Sequence, residues 1–90
     1  MAQKESWEIV LTRPAEKVYD KSPKHMRKRL NRCFEELEKS PLYGNKISPL
    51  TRQLKGLYRY RIVDWWLIYR LCKQQMIVEI IAILPRGHIY

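Results

Sequence analysis

Arg86-Gly87-His88-Ile89-Tyr90 gathers a guanidinium, an imidazole and a phenol within five residues. These are the groups that phosphate chemistry uses: a cation to hold an oxyanion, a side chain that exchanges protons near pH 7, and a ring that stacks or orients. Upstream, Tyr58-Arg59-Tyr60-Arg61-Ile62 sets two more guanidinium groups at alternate positions. Arginine presents a planar fork that grips phosphate oxygens in pairs and stays charged at every physiological pH. An exposed strand arginine more often pairs with a carboxylate or solvates. Here, however, only Asp64 and Glu79 carry acid after residue 40, and Lys and Arg far outnumber them. Most of these cations must therefore face water or an external anion. His25, on a polar helical face, reads as a solvated residue. No Ser-His-Asp pattern, metal-ligand spacing, Gly-rich phosphate loop or carboxylate pair is visible.

The 90 residues bound what can position such groups, since this length supports one domain, 1–90, that buries about 60–65% of its unfolded surface. A hydrophobic share of 46%, with three Trp and six Tyr, is enough for a packed core and argues against a disordered basic tail. The formal charge of +9 and pI near 9.8 favour polyanionic partners, either nucleic acid or an acidic protein. Residues Met1 to Trp7 carry no apolar leader-like run, and no stretch has the roughly 18 apolar residues of a membrane span. A cytoplasmic protein with no membrane association is expected. Cys33 and Cys72 lack a secretory context and metal-site spacing, so they are expected to be reduced and structural.

Alternation of Trp7, Ile9 and Leu11 with Glu8, Val10 and Thr12 predicts a strand over 5–12. Pro14 suits the first turn of a helix running through Lys21, which Ser22-Pro23 interrupts. Ser22 is expected to cap a second helix with Pro23 at its first position. In that helix Met26, Leu30, Cys33, Phe34 and Leu37 form an apolar stripe. Ser40-Pro41 ends it, Tyr43 to Lys46 reads as a loop, and strands are predicted at 50–55, 57–62, 65–72 and 76–84. A tight turn at Val63-Asp64 sets Ile62 opposite Trp65, Arg61 opposite Trp66 and Tyr60 opposite Leu67. Tyr58, Tyr60, Ile62, Trp65, Leu67 and Tyr69 then share the face that covers the helices. Arg59, Arg61, Trp66, Ile68 and Arg70 share the other. The nearly all-apolar run Ile77 to Leu84 suits an interior strand. The expected class is α+β, with an N-terminal strand and two helices packed on one face of a mainly antiparallel four- to five-stranded sheet.

At these same residues the chain resembles the RelE/ParE toxin superfamily of bacterial toxin–antitoxin modules, chiefly its mRNA-cleaving, RelE-like branch. The resemblance lies in the element order, in Leu54-Lys55-Gly56-Leu57-Tyr58-Arg59-Tyr60-Arg61-Ile62, in Leu67-Ile68-Tyr69-Arg70-Leu71 and in Ile83 to Tyr90. It implies a ribosome-dependent endoribonuclease that cuts mRNA in the A site by attack of a ribose 2′-OH on its own phosphate, with no metal or other cofactor. It implies Arg59, Arg61, Arg86, His88 and Tyr90 as catalytic residues. Arg59 and Arg61 stand at the basic positions of the strand, and Arg86 and Tyr90 match the closing arginine and aromatic. His88 is the candidate base or acid, because arginine ionises too high to serve as one. Lys55, Trp66 and Arg70 are RNA-binding candidates. The implied partners are a cognate antitoxin in a hetero-oligomer, the ribosome with its rRNA, and mRNA.

One departure concerns Trp66, which stands where the family commonly carries an arginine before the Leu-Ile-Tyr run. Losing a phosphate-binding cation there costs on the order of 3 kcal/mol of transition-state stabilisation unless another group replaces it. The competing expectations are therefore a ParE-like inhibitor of DNA gyrase and a catalytically weakened variant that only binds RNA or antitoxin. The terminal Arg86, His88 and Tyr90 favour the nuclease.

Overall fold

The computed structural model describes residues 6–85. In chain order it contains β1 (Glu8–Leu11), α1 (Arg13–Lys21), α2 (Lys24–Lys39), β2 (Ile47–Pro49), a 3-10 turn (Arg52–Leu54), β3 (Leu57–Ile62), β4 (Trp65–Cys72) and β5 (Ile77–Pro85). The strands form one sheet in the order β1-β5-β4-β3-β2, antiparallel except for the parallel pair β1–β5. The expected α+β architecture is present with five strands, and β5 occupies the interior position its apolar sequence suits.

Both helices cover one face of this sheet. Met26, Leu30, Cys33 and Leu37 of α2 and Ala15 of α1 are buried with Tyr60, Ile62, Leu67, Tyr69, Val78, Ile80 and Ile83. Three of the β5 residues in that core, Val78, Ile80 and Ile83, break strict alternation. A bulge explains it: Tyr69 pairs Ile80 while Ile68 pairs Ala82, so Ile81 has no partner on β4 and the parity resets. Thr12, just before α1, does not cap the helix. Its hydroxyl lies 3.0 Å from the carbonyl oxygens of both Ile80 and Ile81, tying the start of α1 to the bulge.

Four local expectations are corrected. The strand predicted over 5–12 spans only Glu8–Leu11 among the described residues. Ser22 closes α1 instead of capping α2, donating its hydroxyl to the Val18 carbonyl at 2.7 Å. Pro23 then takes the cap position, where its carbonyl accepts from Met26 and Arg27. The strand predicted over 50–55 is not one, because the edge strand lies earlier, at Ile47–Pro49. The Leu50 N–H still donates to the Leu57 carbonyl at 2.9 Å, but Arg52 at φ 61 and Gly56 at φ 99 then turn the chain where β-formers suggested extension. Leu54 is left about half exposed.

Two phenols lock the helix face. Tyr69 is fully buried and donates to the Pro41 carbonyl at 2.7 Å, while Tyr60 donates to the Glu36 carboxylate. Burial raises both phenols above their usual range, and the bond to Glu36 raises Tyr60 further. Both remain protonated donors at neutral pH.

Tyr69→Phe leaves the Pro41 carbonyl without its donor, and is expected to lower unfolding free energy by about 1.5 kcal/mol in urea denaturation. The pH dependence follows from the raised phenols. Their contribution is fully present below the unfolded value of about 10 and is lost as pH rises toward the folded-state values. Urea midpoints should fall above pH ~10, and the fall should be shallower in Tyr60→Phe.

Candidate nucleic-acid interface

The β3–β4 hairpin turns at Val63-Asp64 and pairs Arg61 with Trp66, Arg59 with Ile68, and Leu57 with Arg70. Because successive side chains alternate, Arg59, Arg61 and Trp66 emerge on the face opposite both helices. The Arg59 guanidinium carbon lies 4.3 Å from the Trp66 ring centroid, within stacking range of a cation–π contact. Trp66 is half-buried, and its indole Nε1 is buried without a hydrogen-bond partner among the described residues. On the other side of β3, the Arg61 backbone N–H donates to the Lys46 carbonyl at 2.9 Å, and Ser48 of β2 pairs with Arg59. Asn45, Lys46, Ser48, Arg59, Arg61 and Trp66 together line a cleft of about 180 Å³.

Among the described residues no carboxylate lines this cleft, so its two guanidinium groups and one ammonium present a net positive field to an anion. A forked donor held over an indole loses less freedom when it grips phosphate oxygens. The lining can bind a phosphate and stabilise charge that develops on it. Among the described residues it holds no group that exchanges protons near pH 7, and the two buried phenols are committed on the opposite face. Arg86, His88 and Tyr90, assigned catalytic roles from the sequence, lie outside the described residues. The last described strand does reach this region, since Leu84 pairs with Trp66 and Pro85 with Trp65.

The remaining sequence candidates sit elsewhere. Lys55 belongs to the turn before β3 and lines a different cavity with Arg52, Gly56 and Leu57. Arg70 shares the open face but is held by Glu79 of β5, with Nε and Nη2 both donating to one carboxylate oxygen. That bond raises the already high ionisation of Arg70. Scarcity of acid in the second half of the chain had suggested a free cation at Arg70. The register of β4 on β5 places one of the two available carboxylates directly across from it. Lys46, Asn45 and Ser48 were missed because the edge strand was expected after residue 50. The usable signal was Pro49, since a proline within a strand marks an edge, and Pro49 pairs with Tyr58 at the edge of this sheet.

The family of the ParE toxin of type II toxin–antitoxin systems, parDE, matches residues 9–90 of the sequence. The chain belongs to this family. Solved structures agree at the level of fold. The toxin–antitoxin complex RelBE2 from Mycobacterium tuberculosis superposes with a TM-score of 0.78 at 24% identity, covering 90% of this chain and 99% of that one. The RelE–RelB complex from the archaeon Pyrococcus horikoshii gives 0.77 at 24% identity, covering 92% and 98%. A YoeB/ParE toxin from Agrobacterium tumefaciens gives 0.77 at 19% identity, covering 87% and 96%. No curated protein sequence matches significantly. The resemblance to the RelE/ParE superfamily thus holds, and this protein is a toxin of a type II toxin–antitoxin system. No helix among the described residues is long and apolar enough to cross a membrane.

The Arg59–Trp66 contact makes a specific prediction for this toxin. Side-chain protons of Arg59 should be shifted upfield in NMR spectra by the indole ring, and the shift should vanish in Trp66→Ala. A double-mutant cycle with Arg59→Ala should return a coupling of about 1 kcal/mol.

Proposed function

We propose that this toxin is a ribosome-dependent endoribonuclease that cuts mRNA in the A site and so arrests translation. The observation that carries this reading is the carboxylate-free cleft on the open sheet face, where Arg59 and Arg61 converge with Lys46 beside Trp66. In the reaction, a ribose 2′-oxygen attacks the adjacent phosphorus and gives its proton to a base. The bond from phosphorus to the 5′-oxygen then breaks, and that oxygen takes a proton from an acid. The products are a 2′,3′-cyclic phosphate and a 5′-hydroxyl.

Arg59 and Arg61 neutralise charge on the phosphorane, since neither can accept a proton at physiological pH. Arg86 holds the scissile phosphate, His88 transfers protons, and Tyr90 stacks on a base or orients the 2′-OH. The indole of Trp66 is already covered on one side by Arg59, so its contribution is to hold that guanidinium rather than to offer two free faces to a nucleotide. Ribosomal RNA supplies the alignment that so sparse a set of groups lacks. The toxin acts in the cytoplasm and is neutralised by a cognate antitoxin in a hetero-oligomer, as the RelBE2 and RelE–RelB structures contain an antitoxin with their toxins. An acidic antitoxin segment suits the +9 charge as well as RNA does.

The matching family is that of ParE, which favours poisoning of DNA gyrase as the second reading. Induction in a bacterial host followed by primer extension on a reporter mRNA separates the two. The expected result is codon-phased cuts that fall about 100-fold in rate in Arg61→Ala measured on programmed ribosomes. DNA damage without cuts overturns the nuclease in favour of gyrase. An unchanged single-turnover rate in His88→Ala removes His88 from the mechanism.

A further inference from the structure

The cationic lining does not stop at the open face. A second cleft, of about 190 Å³, lies between α2 and β3, where Arg29 and Arg32 of the helix meet Lys46, Tyr60 and Arg61. Lys46 and Arg61 also line the open-face cleft, so the two clefts form one path around the end of the sheet at β2 and β3. Arg29 and Arg32 are exposed and three residues apart, which puts them on the same side of α2. None of these four cations forms an ion pair among the described residues. Glu36 reaches the second cleft as well, but its carboxylate accepts the Tyr60 hydroxyl. Singly, the basic residues of α2 read as a solvated face. Their convergence on β3 gives two of them a different setting.

We infer that the α2–β3 groove binds a backbone phosphate of single-stranded RNA, next along the strand from the phosphate held in the open-face cleft. The inference rests on the RNA-cleaving reading for the polymer's identity. Clefts of this size admit one sugar–phosphate strand and not a duplex. The groove itself is also lined by Cys33, Ile62 and Val63, but continuity favours RNA over an acidic protein segment, because the path begins in a cleft whose described lining is polar and aromatic. Arg29 and Arg32 hold the strand in register while Arg59 and Arg61 act on the reacting phosphate. They are positioning residues, remote from the bond that breaks.

The test is anisotropy of a short labelled single-stranded RNA titrated with the full-length toxin across a salt series. Removing the one phosphate contact that Arg29 and Arg32 share, in the double variant Arg29→Ala/Arg32→Ala, should flatten the slope of log K against log salt by about 0.7. Lys24→Ala/Lys28→Ala removes the same charge from α2 outside the groove and should leave the slope unchanged. All four positions are exposed, so unfolding midpoints should match the parent. Equal flattening by both pairs reports a diffuse field and overturns the groove, as does an unchanged slope in the arginine pair. Weakened binding of polyglutamate with RNA binding intact also overturns it, in favour of an acidic protein. Arg59→Ala separates the two levels of the argument, because Arg59 lines the open-face cleft and not the groove. If it leaves RNA binding unchanged while the arginine pair weakens it, the open-face reading fails and the groove stands.

Discussion

The register of the β3–β4 hairpin is the constraint on which the other features depend. Val63 and Asp64 make the turn, and Ile62 then faces Trp65, which fixes every pair down to Leu57 and Arg70. A strand has a side-chain period of two, so a slip of β3 by one residue against β4 would send Tyr60 and Ile62 into solvent and drive Arg59 and Arg61 against α2. Burying two guanidinium groups without partners would cost far more than any gain from the new contacts. The apolar core and the cationic face therefore specify the same register from opposite sides of one sheet. The turn itself is not ideal, since Val63 adopts φ 25 and β-branched residues avoid that region. Sheet packing, not turn chemistry, holds the hairpin in register.

The helix side is closed by hydrogen bonds from two phenols. Tyr60 to Glu36 and Tyr69 to Pro41 both join the sheet to α2 or to the segment just after it. A phenol kept protonated by burial spends its polarity on a structural contact and is withdrawn from acid–base chemistry. The same hydrogen bond occupies the carboxylate nearest the cationic path, which lowers the competition that Glu36 offers an incoming phosphate. The bulge at Ile81 works similarly at the other end of the sheet. It lets β5 turn Val78, Ile80 and Ile83 all inward while Thr12 satisfies the carbonyl groups that the irregular ladder exposes.

Periodicity made most of this legible. The stripe of α2 and the alternation of β3 and β4 are long enough to reveal which residues face the core, and the hairpin pairing follows once the turn is placed. β2 was not legible, because three residues carry no period and Leu50-Thr51 advertised extension that the left-handed Arg52 ends. The candidate site shares this division. Arg59, Arg61 and Trp66 come together by local pairing within one hairpin. Lys46, Ser48 and Arg29 join them through contacts between segments far apart in sequence, and the neutralisation of Arg70 by Glu79 depends on a β4–β5 register shifted by a bulge. Counting charges along a chain does not reveal which of them meet.

Trp66 sets the balance of forces at the open face. Relative to a site with an arginine at this position, the indole forgoes a charge whose loss weighs on the order of 3 kcal/mol. In return it holds Arg59 by a contact of about 1 kcal/mol, and the ordering of that side chain is complete before any anion arrives. The exchange favours orientation over field strength. An oriented but weakly charged site gains most when its substrate is already held in place, since alignment of the reacting atoms can supply several kcal/mol that the protein's own groups do not. A cleft open to one side, with few groups, suits an anion presented in a fixed orientation better than one captured from solution.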